Sequence, residues 1–196
     1  MDKKQQLLES LKRHGFPEKI INAFGKVNRE EFIPKENKRQ TYEDIPLPIG
    51  YNQTISQPYT IAFMLNLLDV KNKQKILEVG SGSGYVLALI SELNPKGKVF
   101  GIERIKELAE SSEEKLKQYN NVKVVHENGF LGLEKKAPFD RILVSASAEK
   151  IPERLIKQLK KDGILVVPVK HSILKITRNR KIEEYPGFAF VPLIEE

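Results

Sequence analysis

The stretch Lys75-Ile76-Leu77-Glu78-Val79-Gly80-Ser81-Gly82-Ser83-Gly84-Tyr85 constrains the fold of this chain more than any other segment. A short apolar strand runs into a glycine-rich turn, and Val86-Leu87-Ala88-Leu89-Ile90 follows as the buried part of a helix. Gly80, Gly82 and Gly84 lack the Cβ atoms that would keep a ligand off the backbone. The helix N-terminus beyond them offers unpaired N–H donors. A strand, turn and helix of this kind form the nucleotide-binding corner of a doubly wound α/β sheet.

The glycine spacing is G-x-G-x-G, not the G-x-G-x-x-G of dinucleotide sites, and Glu78 stands two residues before the first glycine. Glycines alone are equally compatible with an incidental tight turn. A second feature narrows the choice. Glu103 ends the run Lys98-Val99-Phe100-Gly101-Ile102, nineteen residues past Gly84. A carboxylate at the end of the second strand can accept both ribose hydroxyls of an adenosine. The E-V-G-S-G-S-G form resembles the S-adenosylmethionine site of class I methyltransferases more than an NAD site.

Composition removes several classes. A chain of 196 residues, 40% hydrophobic, can bury one substantial core and is not disordered. No run approaches the roughly 18 apolar residues of a membrane span, and Met1-Asp2-Lys3-Lys4-Gln5 begins no signal-like apolar region. With no cysteine, disulfides and thiolate metal sites are excluded, and a cytoplasmic protein is expected. The net charge of +7 is uneven: residues 150–181 carry ten Lys/Arg against Glu153 and Asp162, a local +8. Few aromatics interleave with these cations, which argues for a solvated surface and against nucleic acid as a partner.

Leu7, Leu8 and Leu11 recur at helical spacing, Gly15 closes that helix, and Pro17 opens a second through Ile20, Ile21, Ala23 and Phe24. From Val27 to Tyr59 the proline-rich pattern predicts a long structureless stretch, of the kind that forms lids and binding loops. Thr54 or Ser56 could cap the amphipathic helix that follows it. Beyond the glycine corner, β-α alternation predicts strands ending at Ile102, over 122–126, over 141–144 and over 164–167, hence a parallel sheet. Residues 173–176 and 188–191 are expected to close it as an antiparallel pair. His126 and His171 fall in apolar strands, as core or edge residues. His14 is a surface residue near a helix end.

Several segments together resemble the protein-L-isoaspartate (D-aspartate) O-methyltransferase family. Val27-Asn28-Arg29-Glu30-Glu31-Phe32-Ile33-Pro34 is similar to its V-x-R-x-x-F-V-P, and Leu47 to Pro58 is similar to its P-I-G-x-G-Q-T-I-S-Q-P. Further similar pieces are Ile76 to Tyr85, Ile102-Glu103-Arg104, Ala137-Pro138-Phe139-Asp140, Val167-Pro168-Val169 and Phe190-Val191-Pro192-Leu193. They span nearly the whole chain in the same order. Three positions depart: Asn128 stands where Asp is usual, and Tyr51 and Lys170 stand where glycine is usual.

The resemblance implies a single class I methyltransferase domain over 1–196, with N-terminal helices and an active-site loop in 1–60. The core over 61–196 would be Rossmann-like, a doubly wound, mostly parallel seven-stranded sheet. It implies methyl transfer from S-adenosyl-L-methionine to the free carboxylate of isoaspartyl residues in damaged proteins and peptides. By match, Ser56 is the catalytic position, within a loop Gln53, Thr54, Ile55 and Ser56 over cofactor and substrate. Glu78, Gly80, Ser81, Gly82 and Gly84 would line the methionine end. Glu103 would bind the ribose, Arg104 would also contact the cofactor, and Asn128 and Gly129 would lie beside the adenine, whose amino group could donate to the Asn128 carbonyl. A carboxylate of pKa about 4 is already a nucleophile at neutral pH, so no strong base, metal or catalytic histidine is called for. A monomer is expected. The same fold could instead methylate RNA or a small molecule, or bind the cofactor without catalysis.

Overall fold

The computed structural model describes residues 2–194. Helix α1 (Lys3–Arg13) buries Leu7 and Leu11, one turn apart, and Asp2 caps it by accepting from the Lys4 amide at 2.8 Å. Helix α2 (Glu18–Lys26) buries Ile20, Ile21, Ala23 and Phe24.

The stretch expected to be structureless is ordered. Arg29–Phe32 and Lys35–Gln40 wind into 3-10 turns, and β1 (Leu47–Gly50) pairs antiparallel with β2 (Gln53–Ile55). Proline is no obstacle here, because a two-stranded ribbon consists only of edges and Pro48 needs to give no N–H to a central ladder. At the tip, Tyr51 and Asn52 both take left-handed backbone, φ 54° and 56°, the twist a two-residue hairpin turn requires. Helix α3 (Pro58–Leu68) starts after Gln57, with Pro58 in the first turn where no N–H is missed. Neither Thr54 nor Ser56 caps it. Asp44 serves instead, its carboxylate accepting from the Tyr59 amide at 2.7 Å.

The alternating region follows as β3 (Lys75–Val79), α4 (Tyr85–Leu93), β4 (Lys98–Glu103), α5 (Lys106–Lys115), β5 (Val122–His126) and β6 (Phe139–Val144). Then come a short α6 (Glu153–Lys157), a long β7 (Leu159–Val169), β8 (Ser172–Thr177) and β9 (Ile182–Pro186). The seven-stranded sheet runs β5-β4-β3-β6-β7-β8-β9. Its first five strands are parallel and the β7-β8-β9 end is antiparallel.

The closing strand is therefore 182–186 and not 188–191. Its pattern Ile-Glu-Glu-Tyr-Pro is polar because β9 is an edge, held by Lys175 to Glu183 at 3.4 Å and by the Ser172 hydroxyl donating to Glu184 at 2.7 Å. Phe188 packs in a loop against Phe63, ring centroids 5.2 Å apart. His171 lies exposed in the β7–β8 turn, and His126 is exposed at the end of edge strand β5. His14 is the exposed C-cap of α1. Within the basic segment, Lys160 pairs with Asp140, Lys175 with Glu183 and Arg180 with Glu153, so part of its charge is neutralised locally.

Period-two alternation divides the core into two layers. Ile76, Leu143 and Val166 face α1 to α5, while Leu77, Val79, Ile142, Val144, Leu165 and Val167 pack on the other face with Leu133 and with Leu155 and Ile156 of α6. Helices thus cover both sides of the sheet, and the parallel strands read as near-continuous apolar runs for that reason.

Candidate active site

Strand order reverses at β3: the chain leaves it towards β4 and β5, then returns to β6 on its other side. Ligands of open α/β sheets bind at such a switch point, beyond the carboxyl ends of the strands. The glycine turn closes this edge. The amides of Gly80 and Ser81 both donate to the Ile102 carbonyl, at 2.9 and 3.0 Å, folding the turn onto the end of β4. Gly80 and Gly82 sit at φ 77° and 52°, and a Cβ at Gly82 would stand 3.2 Å from Ile49, which reaches over from the hairpin.

Two carboxylates converge on this turn. Glu78 is buried, with Oε1 accepting from the Ser145 hydroxyl at 2.7 Å and Oε2 accepting from no described group. Burial pushes its pKa up to about 8; the Ser145 hydrogen bond opposes this and the nearby Glu103 adds to it. Glu103, also buried, accepts from the Gly82 amide through Oε2 and from the Ile105 amide through Oε1, each at 2.9 Å. It therefore clamps the glycine turn to the start of α5 besides facing the cleft.

The cleft has two halves. Thr54, Ile55, Ser56, Glu78, Gly80, Ser81 and Gly82 line the inner half with Ser145. Gln53, Thr54, Gly80, Gly82, Glu103, Arg104, Asn128 and Gly129 line the outer half with Val191 to Ile194. Every expected site residue except Gly84 lies in one half or the other. Gly84 lines neither: a Cβ there would come within 2.8 Å of Leu116, so its glycine lets α4 pack against the end of α5. Gly129 is in place because its turn presses on β3, where a Cβ would stand 2.5 Å from Val79. The Asn128 carbonyl is not free as expected. Oδ1 accepts from the Phe130 amide at 2.9 Å and caps the 3-10 turn Gly129–Leu131.

A third groove, lined by Pro46, Gln57, Thr60, Ala189 and Phe190, meets the inner half at Thr54, Ser56 and Ser145. Ser56 is half-buried there, and its carbonyl accepts from Nη2 of Arg29 at 3.0 Å. Arg29 is fully buried, donates through Nε to the Thr41 carbonyl at 3.0 Å and lies 5.0 Å over the Tyr85 ring. It ties the Ser56 loop to the helix that follows the glycine turn.

Ser145, Ile49, Arg29 and Val191 to Ile194 were not among the expected site residues, although Arg29, Ile49 and Val191 to Leu193 lie in segments that resemble the family. Ser145 had one usable signal, its place just past the carboxyl end of a strand. Val191 to Leu193 are held across the cleft by backbone bonds to Ser147, at 2.8 Å each.

The residues present suit S-adenosylmethionine. A buried carboxylate oxygen without a donor suits a ligand ammonium, the two turn glycines leave room for a close approach, and Glu103 can accept from ribose hydroxyls. A doubly wound sheet that ends in an antiparallel meander, with such a cleft at its switch point, is the architecture of class I methyltransferases. Residues 2–196 match the protein-L-isoaspartate(D-aspartate) O-methyltransferase family. The protein-L-isoaspartate O-methyltransferase of Ignicoccus hospitalis is 44% identical over 208 residues, covering 100% of this chain and 99% of the relative. That of Methanothrix thermoacetophila is also 44% identical, over 98% of this chain and 95% of the relative. A Plasmodium falciparum structure described as a protein-L-isoaspartate O-methyltransferase in complex with S-adenosyl-L-homocysteine superposes with a TM-score of 0.85, at 30% identity over 100% of both chains. The chain belongs to the protein-L-isoaspartate O-methyltransferase family.

Proposed function

We propose that this protein transfers a methyl group from S-adenosylmethionine to the free carboxylate of L-isoaspartyl residues in damaged proteins, which starts their repair. The observation that carries this reading is the junction at Ser56, where the third groove meets the inner half of the cofactor cleft. When bound, S-adenosylmethionine supplies an electrophilic methyl group on its sulfonium. Glu78 and Ser81 hold the methionine end, Glu103 the ribose, and the 128–129 turn the base. The substrate carboxylate is its own nucleophile, so the chain needs to hold it in line, a positioning effect that can contribute up to roughly 7–11 kcal/mol.

Ser56 is the residue placed to do this: its hydroxyl makes no hydrogen bond to a described residue, while Arg29 fixes its backbone. Ser56→Ala should lower turnover on an isoaspartyl peptide about tenfold, one hydrogen bond to a charged group contributing about 1.5–3 kcal/mol. Cofactor affinity and melting temperature should stay within error, because Asp44 and not Ser56 caps α3. A mutant that melts several degrees lower with normal turnover would return Ser56 to a structural role.

Labelled methyl transfer tests the whole assignment. Incorporation into an isoaspartyl peptide, with none into the same peptide carrying ordinary aspartate, is expected. Preferential labelling of RNA would replace the proposed substrate, and cofactor binding without transfer to any acceptor would make the protein a binding module. The cysteine-free composition suits a cytoplasmic enzyme, acting as a monomeric single domain.

A further inference from the structure

Asn128 stands in the outer half of the cofactor cleft with one end of its side chain already engaged by its own turn. A carboxylate offers acceptors at both ends, whereas an amide has one accepting and one donating end. Here the turn decides which end is which. Oδ1 accepts from the Phe130 amide at 2.9 Å, and turning the amide over would set its NH2 against that N–H, donor against donor. The end left over is the Nδ2 donor, which hydrogen-bonds to no described residue. Asn128 lines the outer half of the cleft with Ile102, Glu103 and Gly129. It follows β5, the strand next outward from the one Glu103 ends, so a nucleoside whose ribose meets Glu103 turns its base towards Asn128.

Building on the cofactor assignment above, we infer that Asn128 reads the adenine through its amide nitrogen, donating to a ring nitrogen beside the exocyclic amino group instead of accepting from that group. An aspartate capped onto the same turn would have only an acceptor left and would have to take its hydrogen bond from the amino group. Recognition of the base is thus inverted in this chain. The amino group, essential to an aspartate at this position, becomes dispensable.

Calorimetry with two ligands separates the alternatives: S-adenosylhomocysteine, and its analogue in which the exocyclic amino group is replaced by hydrogen. The wild-type protein should bind the two within about threefold of each other. Asn128→Asp should bind the analogue about tenfold more weakly than S-adenosylhomocysteine, since it loses a charge-assisted bond. Aspartate caps as well as asparagine, so this variant keeps the turn, and an unchanged melting temperature confirms it. A tenfold loss for the wild-type protein on removal of the amino group would overturn the inference, and so would an equal response of the two proteins. Failure of S-adenosylhomocysteine itself to bind the wild type would instead sink the cofactor assignment on which the inference rests.

Discussion

Glu103→Ala is expected to weaken S-adenosylmethionine binding by on the order of a hundredfold. Two ribose hydroxyls would lose a charged acceptor, and hydrogen bonds to charged groups contribute about 1.5–3 kcal/mol each. The sequence suggested that much. The geometry adds a second effect, because the same carboxylate accepts from the Gly82 and Ile105 amides. Removing it leaves both donors unpaired at a buried position and frees the glycine turn from α5, so the cofactor-free protein should also melt lower. Glu103→Gln distinguishes the two roles. Its carbonyl oxygen can keep only one of the two backbone amides, and it offers the ribose an uncharged acceptor, so intermediate affinity is expected. Calorimetry measures affinity and a thermal scan measures the clamp. An unchanged dissociation constant for the alanine variant would take Glu103 out of the cofactor site.

What the sequence made legible was local. Gly80, Gly82 and Glu103 could be read because a strand, a turn and a strand end each leave their mark within a few residues. The departures from the family's glycines were informative too: Tyr51 and Lys170 both sit at left-handed φ, 54° and 53°, where glycine carries no steric penalty. What stayed hidden was decided at a distance. Arginine is ordinarily a surface residue, and the Thr41 and Ser56 carbonyls, 12 and 27 residues away, together with the Tyr85 ring make a core residue of Arg29. The Ser145 partner of Glu78 lies 67 residues off. The hairpin was missed because Pro48 speaks against a central strand but not against a free ribbon. Strand β9 was missed because its inward, half-buried positions are Glu183 and Tyr185, so no apolar alternation marks it. Asn128 shows the finest limit: its type was visible, but only the Phe130 amide reveals which end of the side chain is left for a ligand.

Cofactor affinity should rise steeply with pH, by roughly twentyfold to fiftyfold between about pH 6 and pH 8, and Glu78 is the cause. Burial raises its pKa from the usual 4.5 to about 8, the Ser145 hydroxyl pulling the other way and Glu103 adding to the rise. Between those two values the folded, cofactor-free protein holds a proton that the unfolded chain has released. Its stability therefore falls as pH climbs through that window, and the group adds no pH dependence below about 4.5 or above about 8. A ligand ammonium set against Oε2 reverses the preference, because a neighbouring positive charge favours the ionised carboxylate. Binding below about pH 8 must then expel one proton, and each unit of rising pH favours it by up to about tenfold. Above about pH 8 the free ligand loses its own ammonium proton, so the rise should stop and turn over. Calorimetry in two buffers of different ionisation heat counts the proton directly. Glu78→Gln, neutral throughout, should bind more weakly at about pH 8, release no proton and show no rise between about pH 6 and 8. A wild-type affinity that stays flat across that range, with no proton released, would mean that Glu78 is already ionised before the cofactor arrives. Its unpaired oxygen would then have to find a donor within the protein itself.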